Sequence, residues 1–303
     1  MESKHVELLQ ELSGAIEGVA AAASPSVVSV SSNHGMGTGT VLDDRGRVLT
    51  ASHVVHGLSE VEVGFDSVSP VKANVLGRNP RADLALLEVQ SGGLVPIQMG
   101  SSSGLKVGQF VLALGTPRGG TPSVTSGIIT GVNRQVGGWW RFSVRNAIVT
   151  DARLNQGYSG GPLLDAGGRM IGMNVAYAFN RGIAVPVDTI GKEVERMAKG
   201  EGSRRAYLGI VSNPISLPED VAGRQDVNQS GGLMILSVEP GSAAKKGGLA
   251  LGDVMVKFGD LPVNSFQDLE SQLAEEAAGK QTKVVILRSE QLKELFVTPT
   301  VAD

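Results

Sequence analysis

Ser159 stands in Gly157-Tyr158-Ser159-Gly160-Gly161-Pro162, a segment suited to a nucleophilic hydroxyl. A nucleophilic serine needs its Oγ thrust from a tight turn, with backbone N–H groups free to face a developing oxyanion. Glycines on both sides permit the required φ values and leave room for a scissile peptide. Such a serine also needs a general base. His53 lies in Leu49-Thr50-Ala51-Ser52-His53-Val54-Val55, at the end of an apolar strand, where packed neighbours can fix a ring that still opens to a cleft. The other histidines are His5 and His34, in polar segments, and His56, which precedes Gly57 and reads as solvent-facing. Asp83 opens the apolar run Leu84-Ala85-Leu86-Leu87. A carboxylate at the mouth of a buried strand is costly without a strong partner, and an imidazole Nδ1–H is such a partner.

Alone, the first segment would be a glycine-rich hairpin and Asp83 an ordinary turn residue after Arg81-Ala82. Together, in the chain order His, Asp, Ser, they match the chymotrypsin arrangement and differ from the α/β-hydrolase and subtilisin orders.

That arrangement needs strands to hold it. From Ser26 the chain runs VVSVSS, TGTVLDD and GRVLTAS, with Asp43-Asp44-Arg45-Gly46 as a turn. VEVGF, KANVLG, DLALLEV, FVLALG, VTSGIITGV, NAIVTD, GGPLLD, RMIGMNVAY and GIAVPV follow at short spacing. So many short strands without helices between them predict an all-β fold with enough strands for two barrels. Ahead of them, Val6, Leu9, Leu12, Ile16 and Val19 recur at helical steps, and Pro25 ends that helix. Asp188 is the expected N-cap of a closing helix through Met197. KGEGSRR, residues 199–205, reads as a linker, and the texture then turns mixed α/β. There, Ser265 with Asp268 is expected to open a helix through about Ala277. The expected division is a helical segment over 1–24, a β domain over 25–198, the linker, and a second domain over 206–303.

Composition narrows the function. A net charge of -3 with scattered Lys and Arg gives nucleic-acid binding little support. Cysteine is absent, which removes thiol redox and thiolate–zinc chemistry, and no metal or cofactor is expected. The chain as written has neither the apolar run of a signal peptide nor a membrane span.

TASHVV, ADLALLEV, VTSGIITGV, DARLNQGYSGGPL and GIAVP, in this order, resemble the HtrA/Deg family of PDZ-containing serine proteases from about Ser26 onward. The resemblance implies a mainly β fold: a trypsin-like double β-barrel followed by a mixed α/β PDZ domain. It implies a serine endopeptidase of protein quality control, acting on unfolded or damaged proteins, with His53 and Asp83 from the first barrel and Ser159 from the second. The oxyanion hole maps to the N–H groups of Gly157 and Ser159, and the specificity wall to Gly182, Ile183, Ala184 and Val185. With no carboxylate there, a small or medium aliphatic residue is expected before the scissile bond; Arg153, near a possible pocket floor, further disfavours basic side chains.

Tyr207-Leu208-Gly209-Ile210 resembles the family's carboxylate-binding loop, with Phe266, Leu269 and Leu273 lining a pocket for the last side chain of a peptide. A homo-oligomer, trimeric or a multiple of three, follows from the resemblance alone. The compartment is cytoplasmic as written, or cell envelope or periplasm if the N-terminus was trimmed. Three features depart from the family pattern. Tyr158 stands where Asn is usual, the link SSNHGMGTG is short where many members carry an insertion, and the N-terminal segment lacks the aromatics that typically join trimers. A non-catalytic chaperone or PDZ adaptor on a protease scaffold is the competing expectation.

Overall fold

The computed structural model describes residues 2–301 except 33–34, 66–67, 81, 118, 138–142, 179–180, 201–205, 224–227, 274–276 and 290. His34 and most of the expected linker therefore lie outside the described residues. The chain forms two compact units that divide at residues 202 and 203.

The first unit opens with helix α1, Glu2–Ala23, where the amphipathic spacing placed one. Strands β1 (Val27–Ser32), β2 (Gly35–Val41), β3 (Arg47–Ala51), β4 (Glu60–Phe65), β5 (Val68–Asn79) and β6 (Leu84–Val89) close a barrel in the order β1-β2-β3-β6-β5-β4. The short SSNHGMGTG link makes β1 and β2 a tight antiparallel pair, with Ser32 opposite Gly35. A second closed barrel, ordered β10-β11-β12-β9-β8-β7, is built from β7 (Phe110–Gly115), β8 (Ser123–Gly137), β9 (Ser143–Thr150), β10 (Pro162–Asp165), β11 (Met170–Ala178) and β12 (Arg181–Pro186). Closure removes the free edges that an open sheet would expose. Val, Leu, Ile and Ala fill the interiors, as a chain with 4% aromatics requires.

Helix α2, Val187–Ala198, starts one residue before the expected cap. Pro186 takes the N-cap position, and Asp188 sits in the first turn, where its charge suits the positive end of the helix. Val187, Ile190, Val194 and Met197 are its buried face. Met197 lies so close to β5 that a Cβ on Gly77 would meet it at 3.0 Å. Glu193 accepts a 2.9 Å hydrogen bond from Asn79 Nδ2, fastening α2 to the end of β5.

The second unit holds a two-stranded sheet, β13 (Ala206–Tyr207) with β20 (Thr300–Val301). Its main sheet is ordered β14-β15-β16-β18-β19, from β14 (Ile210–Ser216), β15 (Gly231–Val238), β16 (Val254–Phe258), β18 (Thr282–Arg288) and β19 (Gln291–Val297), with β17 (Leu261–Pro262) pairing β16. Short helices α3 (Glu219–Ala222) and α4 (Ala243–Lys246) precede α5, Phe266–Gln272. The Ser265–Asp268 capping box is present, and α5 is shorter than its sequence pattern suggests, with Leu273 at the C-cap.

Candidate active site

A short 3-10 turn, Ser52–Val55, leaves the end of β3 and carries His53 to the barrel rim. Asp83 sits in the tight connection into β6 with φ of 54°, a left-handed conformation rare for a residue with a side chain. Asn79 helps to form that connection, its Oδ1 accepting the N–H of Ala82 at 3.1 Å. The strained backbone aims the carboxylate at His53: Oδ2 lies 2.7 Å from Nδ1, and Oδ1 accepts the His53 backbone N–H at 2.9 Å. The Asp83 side chain is 3% exposed and that of His53 52%, so the acid is buried and the ring faces solvent. Partial burial works against the imidazolium, but the hydrogen bond and charge of Asp83 outweigh it and raise the His53 pKa above its ordinary 6.5.

Ser159 lies in the turn ahead of β10. Gly157 and Gly160 adopt φ of 94° and 93°, and added Cβ atoms would meet Pro117 Cα at 2.5 Å and Thr38 O at 1.9 Å, so glycine is required at both. Tyr158 N–H donates to Asn155 O at 3.1 Å and Gly161 N–H to Tyr158 O at 3.0 Å, while Gly160 N–H donates to Asn174 O at 2.8 Å. Among the described residues, the N–H groups of Gly157 and Ser159 are left without a backbone carbonyl. The Ser159 hydroxyl donates to Val175 O at 3.1 Å. Both halves of the site close on Gly37 in β2: a Cβ there would meet a Val54 methyl at 2.6 Å and Ser159 O at 3.3 Å.

The residues of the expected specificity wall fall on strand β12. Gly182, Ile183 and Ala184 belong to β12, which pairs with β11 on one side and β9 on the other, so its backbone has no edge to offer a peptide. The side chains of Ile183, Ala184 and Val185 are buried in the cores. Among the described residues, no strand pairs with the β10 side of β11 beyond Asn174, where Val175 O meets the Ser159 hydroxyl. Strand pairing is a non-local property, and nothing in the local run GIAVPV separates an interior strand from a cleft wall. Arg153 is exposed, and its carbonyl accepts from Thr125 Oγ1 at 2.8 Å. His56 is exposed as expected, with Arg78 at 3.4 Å from its Nδ1.

Tyr158 is 2% exposed, one of the largest fully buried side chains. It lies across Gly115, where a Cβ would meet its Cγ at 2.8 Å. Burial raises the pKa of the phenol, and a hydrogen bond with Ser123 opposes that rise. The Tyr158 side chain thus lies in the core of the second barrel.

In the second unit, Leu208 and Leu269 are buried in one cluster, against which Ile210, Phe266 and Leu273 pack half-buried. Gly209 has φ of 80°, and a Cβ there would lie 2.2 Å from Ser242 Cβ. Strand β14 is the edge of its sheet. No group of three or more acidic or His residues among the described residues could hold a metal ion.

Two closed six-stranded barrels followed by a mixed α/β domain define the class of trypsin-like peptidases joined to a PDZ domain. Residues 37–173 match the trypsin-like peptidase domain and residues 220–298 the PDZ domain. The chain is 31% identical over 261 residues to periplasmic serine endoprotease DegP of Escherichia coli, covering 84% of this chain and 54% of that protein. It is 32% identical over 278 residues to putative serine protease HhoB of Synechocystis, covering 88% and 66%. Among solved structures, Deg5 is 32% identical with a TM-score of 0.58, covering 63% of this chain and 98% of that one. The HtrA-type protease AlgW with tripeptide is 26% identical with a TM-score of 0.62, covering 94% and 97%. The chain belongs to the HtrA/Deg family of PDZ-containing serine proteases. It spans little more than half the length of the first curated relatives it matches.

Proposed function

We propose that this chain is a serine endopeptidase of protein quality control that cleaves unfolded or damaged proteins through an acyl-enzyme. The observation that carries this reading is the two-point hold of Asp83 on His53, joined to a serine turn in which, among the described residues, the N–H groups of Gly157 and Ser159 have no backbone partner. Ser159 Oγ attacks the scissile carbonyl while His53 Nε2 takes its proton. Asp83 keeps the other ring nitrogen protonated and stabilises the imidazolium. The N–H groups of Gly157 and Ser159 receive the oxyanion. His53 returns the proton to the leaving amine, then activates the water that frees the acyl group. Substrate backbone pairs along β11 beyond Asn174, and cleavage follows small or medium aliphatic residues; a digest map dominated by cuts after Lys or Arg overturns that preference.

Residues 25–198 form the protease domain and 206–303 the PDZ domain, where Tyr207–Ile210 receive a peptide carboxylate and β14 gains the peptide as an added strand. Phe266, Leu269 and Leu273 take its last side chain. The protein acts as a homo-oligomer, trimeric or a multiple of three, in the cell envelope or periplasm; these two points rest on the resemblance and on the names of the relatives. No helix among the described residues is long and apolar enough to cross a membrane. Casein digestion and fluorophosphonate labelling test the reading: labelling at Ser159 with loss of digestion supports it. Casein that is bound and held soluble but never cut points to the adaptor or chaperone.

A further inference from the structure

The turn that carries Ser159 is held in part from the other barrel. Thr38 Oγ1 donates to Gly157 O at 2.5 Å, Thr38 N–H to Ser159 O at 2.8 Å, and Thr40 Oγ1 to Gly160 O at 2.9 Å. Thr38 and Thr40 alternate on β2 and so present the same face. A Thr hydroxyl has one proton to give. That of Thr38 goes to Gly157 O, a carbonyl that can only accept, while Thr38 Oγ1 accepts Thr116 N–H at 2.8 Å and stands 3.2 Å from Thr116 Oγ1. Thr38 and Thr116 are fully buried, so no solvent can replace these bonds. The carbonyl of Thr38 in turn accepts from Thr50 Oγ1 at 2.7 Å, on the strand that leads to His53.

We propose that Thr38 is a positioning residue for the oxyanion turn, acting from the first barrel on donors in the second. The Gly157–Tyr158 peptide, which turns about the ψ of Gly157 and the φ of Tyr158, joins the two peptide units that carry the Gly157 and Ser159 N–H groups, so holding it fixes those two units relative to each other. Glycine resists such a turn least of all residues. The hydroxyl of Thr38 on one end of this peptide and Asn155 O on the other hold it. The proposal rests on the peptidase reading, and it makes geometry in the first barrel a determinant of turnover beyond His53 and Asp83.

The test compares Thr38→Val, which keeps the shape but loses both the proton and the acceptor for Thr116 N–H, with Thr38→Ser, which keeps both. Val41→Ala, a buried change on the same strand, controls for lost stability. On a short peptide, Thr38→Val is expected to lose about 10- to 100-fold in kcat, below or at the cost of a missing oxyanion donor. KM stays within about threefold, because substrate binding does not depend on the hole. Affinity for a peptide aldehyde, which forms the oxyanion, falls in step with kcat. Thr38→Ser recovers kcat to within about threefold, and Val41→Ala lowers the melting temperature with kcat unchanged. If Thr38→Val does not fold, Thr38→Cys carries the same test with a weak donor. A folded Thr38→Val or Thr38→Cys with wild-type kcat and aldehyde affinity overturns the proposal, as does a Val41→Ala loss of kcat equal to theirs. Wild-type protein that neither labels with fluorophosphonate nor cuts peptide overturns the peptidase reading itself, and this proposal with it.

Discussion

Asp83 grips His53 at two points, accepting the backbone N–H at one carboxylate oxygen and meeting ring Nδ1 at the other. The second contact sets the tautomer and the first sets the distance from which it is made. A buried carboxylate with both oxygens used holds the ring against rotation without any help from the cleft side.

The pH profile follows from this grip. His53 must be neutral to accept a proton, and its pKa lies above 6.5 because the Asp83 contact outweighs the opposing effect of burial. The acid limb of kcat/KM therefore has its midpoint above 6.5. Asp83→Asn removes the charge, moves that midpoint down, and lowers kcat by roughly 10⁴. A limb that stays in place in Asp83→Asn assigns the titration to another group.

Ser159→Ala and His53→Ala each silence cleavage, by about 10⁴ to 10⁶, while far-UV circular dichroism stays that of the parent. His56→Ala keeps near-normal rates, since its ring is exposed beside Arg78. An active His53→Ala alongside a silent His56→Ala would reverse the assignment of the base.

Tyr158 contributes through its ring as well as its backbone. A lid over the cleft is incompatible with 2% exposure, so Tyr158→Ala does not raise activity on short peptides. It instead costs about 3 kcal/mol or more of stability by leaving a cavity beside Gly115. Tyr158→Phe, which gives up only the Ser123 hydrogen bond, costs about 1 kcal/mol and keeps kcat. Thermal melts with peptide kinetics on both variants check this. A Tyr158→Ala protein more active than wild type contradicts it.

The PDZ loop is tested in the full chain carrying Ser159→Ala, so that bound peptide survives. A peptide ending in Val binds with its carboxylate free and loses affinity by tenfold or more as the C-terminal amide. Gly209→Ala abolishes binding, because its Cβ would stand 2.2 Å from Ser242 Cβ. Fluorescence anisotropy reads both, and equal affinity for acid and amide removes the carboxylate-loop reading.

How far the sequence could be read depended on how local each signal is. The GYSGGP run shows its purpose because each glycine answers to a nearby steric need, and Ser265 with Asp268 marks a helix start within four residues. The alternating apolar runs showed two barrels' worth of strands for the same reason. Their pairing was hidden: nothing in GIAVPV says that β12 lies between β11 and β9. The roles of Thr38, Thr40 and Asn79 were equally hidden. Each is an ordinary polar residue until a partner remote in sequence is brought beside it. Tyr158 was visible as a departure, but its direction was set by the space over Gly115.

The threonine clamp also bears on when the protein can first cut. Domains form in order as a chain leaves the ribosome. All strands of the first barrel, with His53 and Asp83, are translated before Ser159. The clamp on the serine turn then waits for β10 and β11 to fold against β2, and α2 seats on β5 later still. The hold of Thr38 and Thr40 on the serine turn therefore exists only once strands of both barrels have been made.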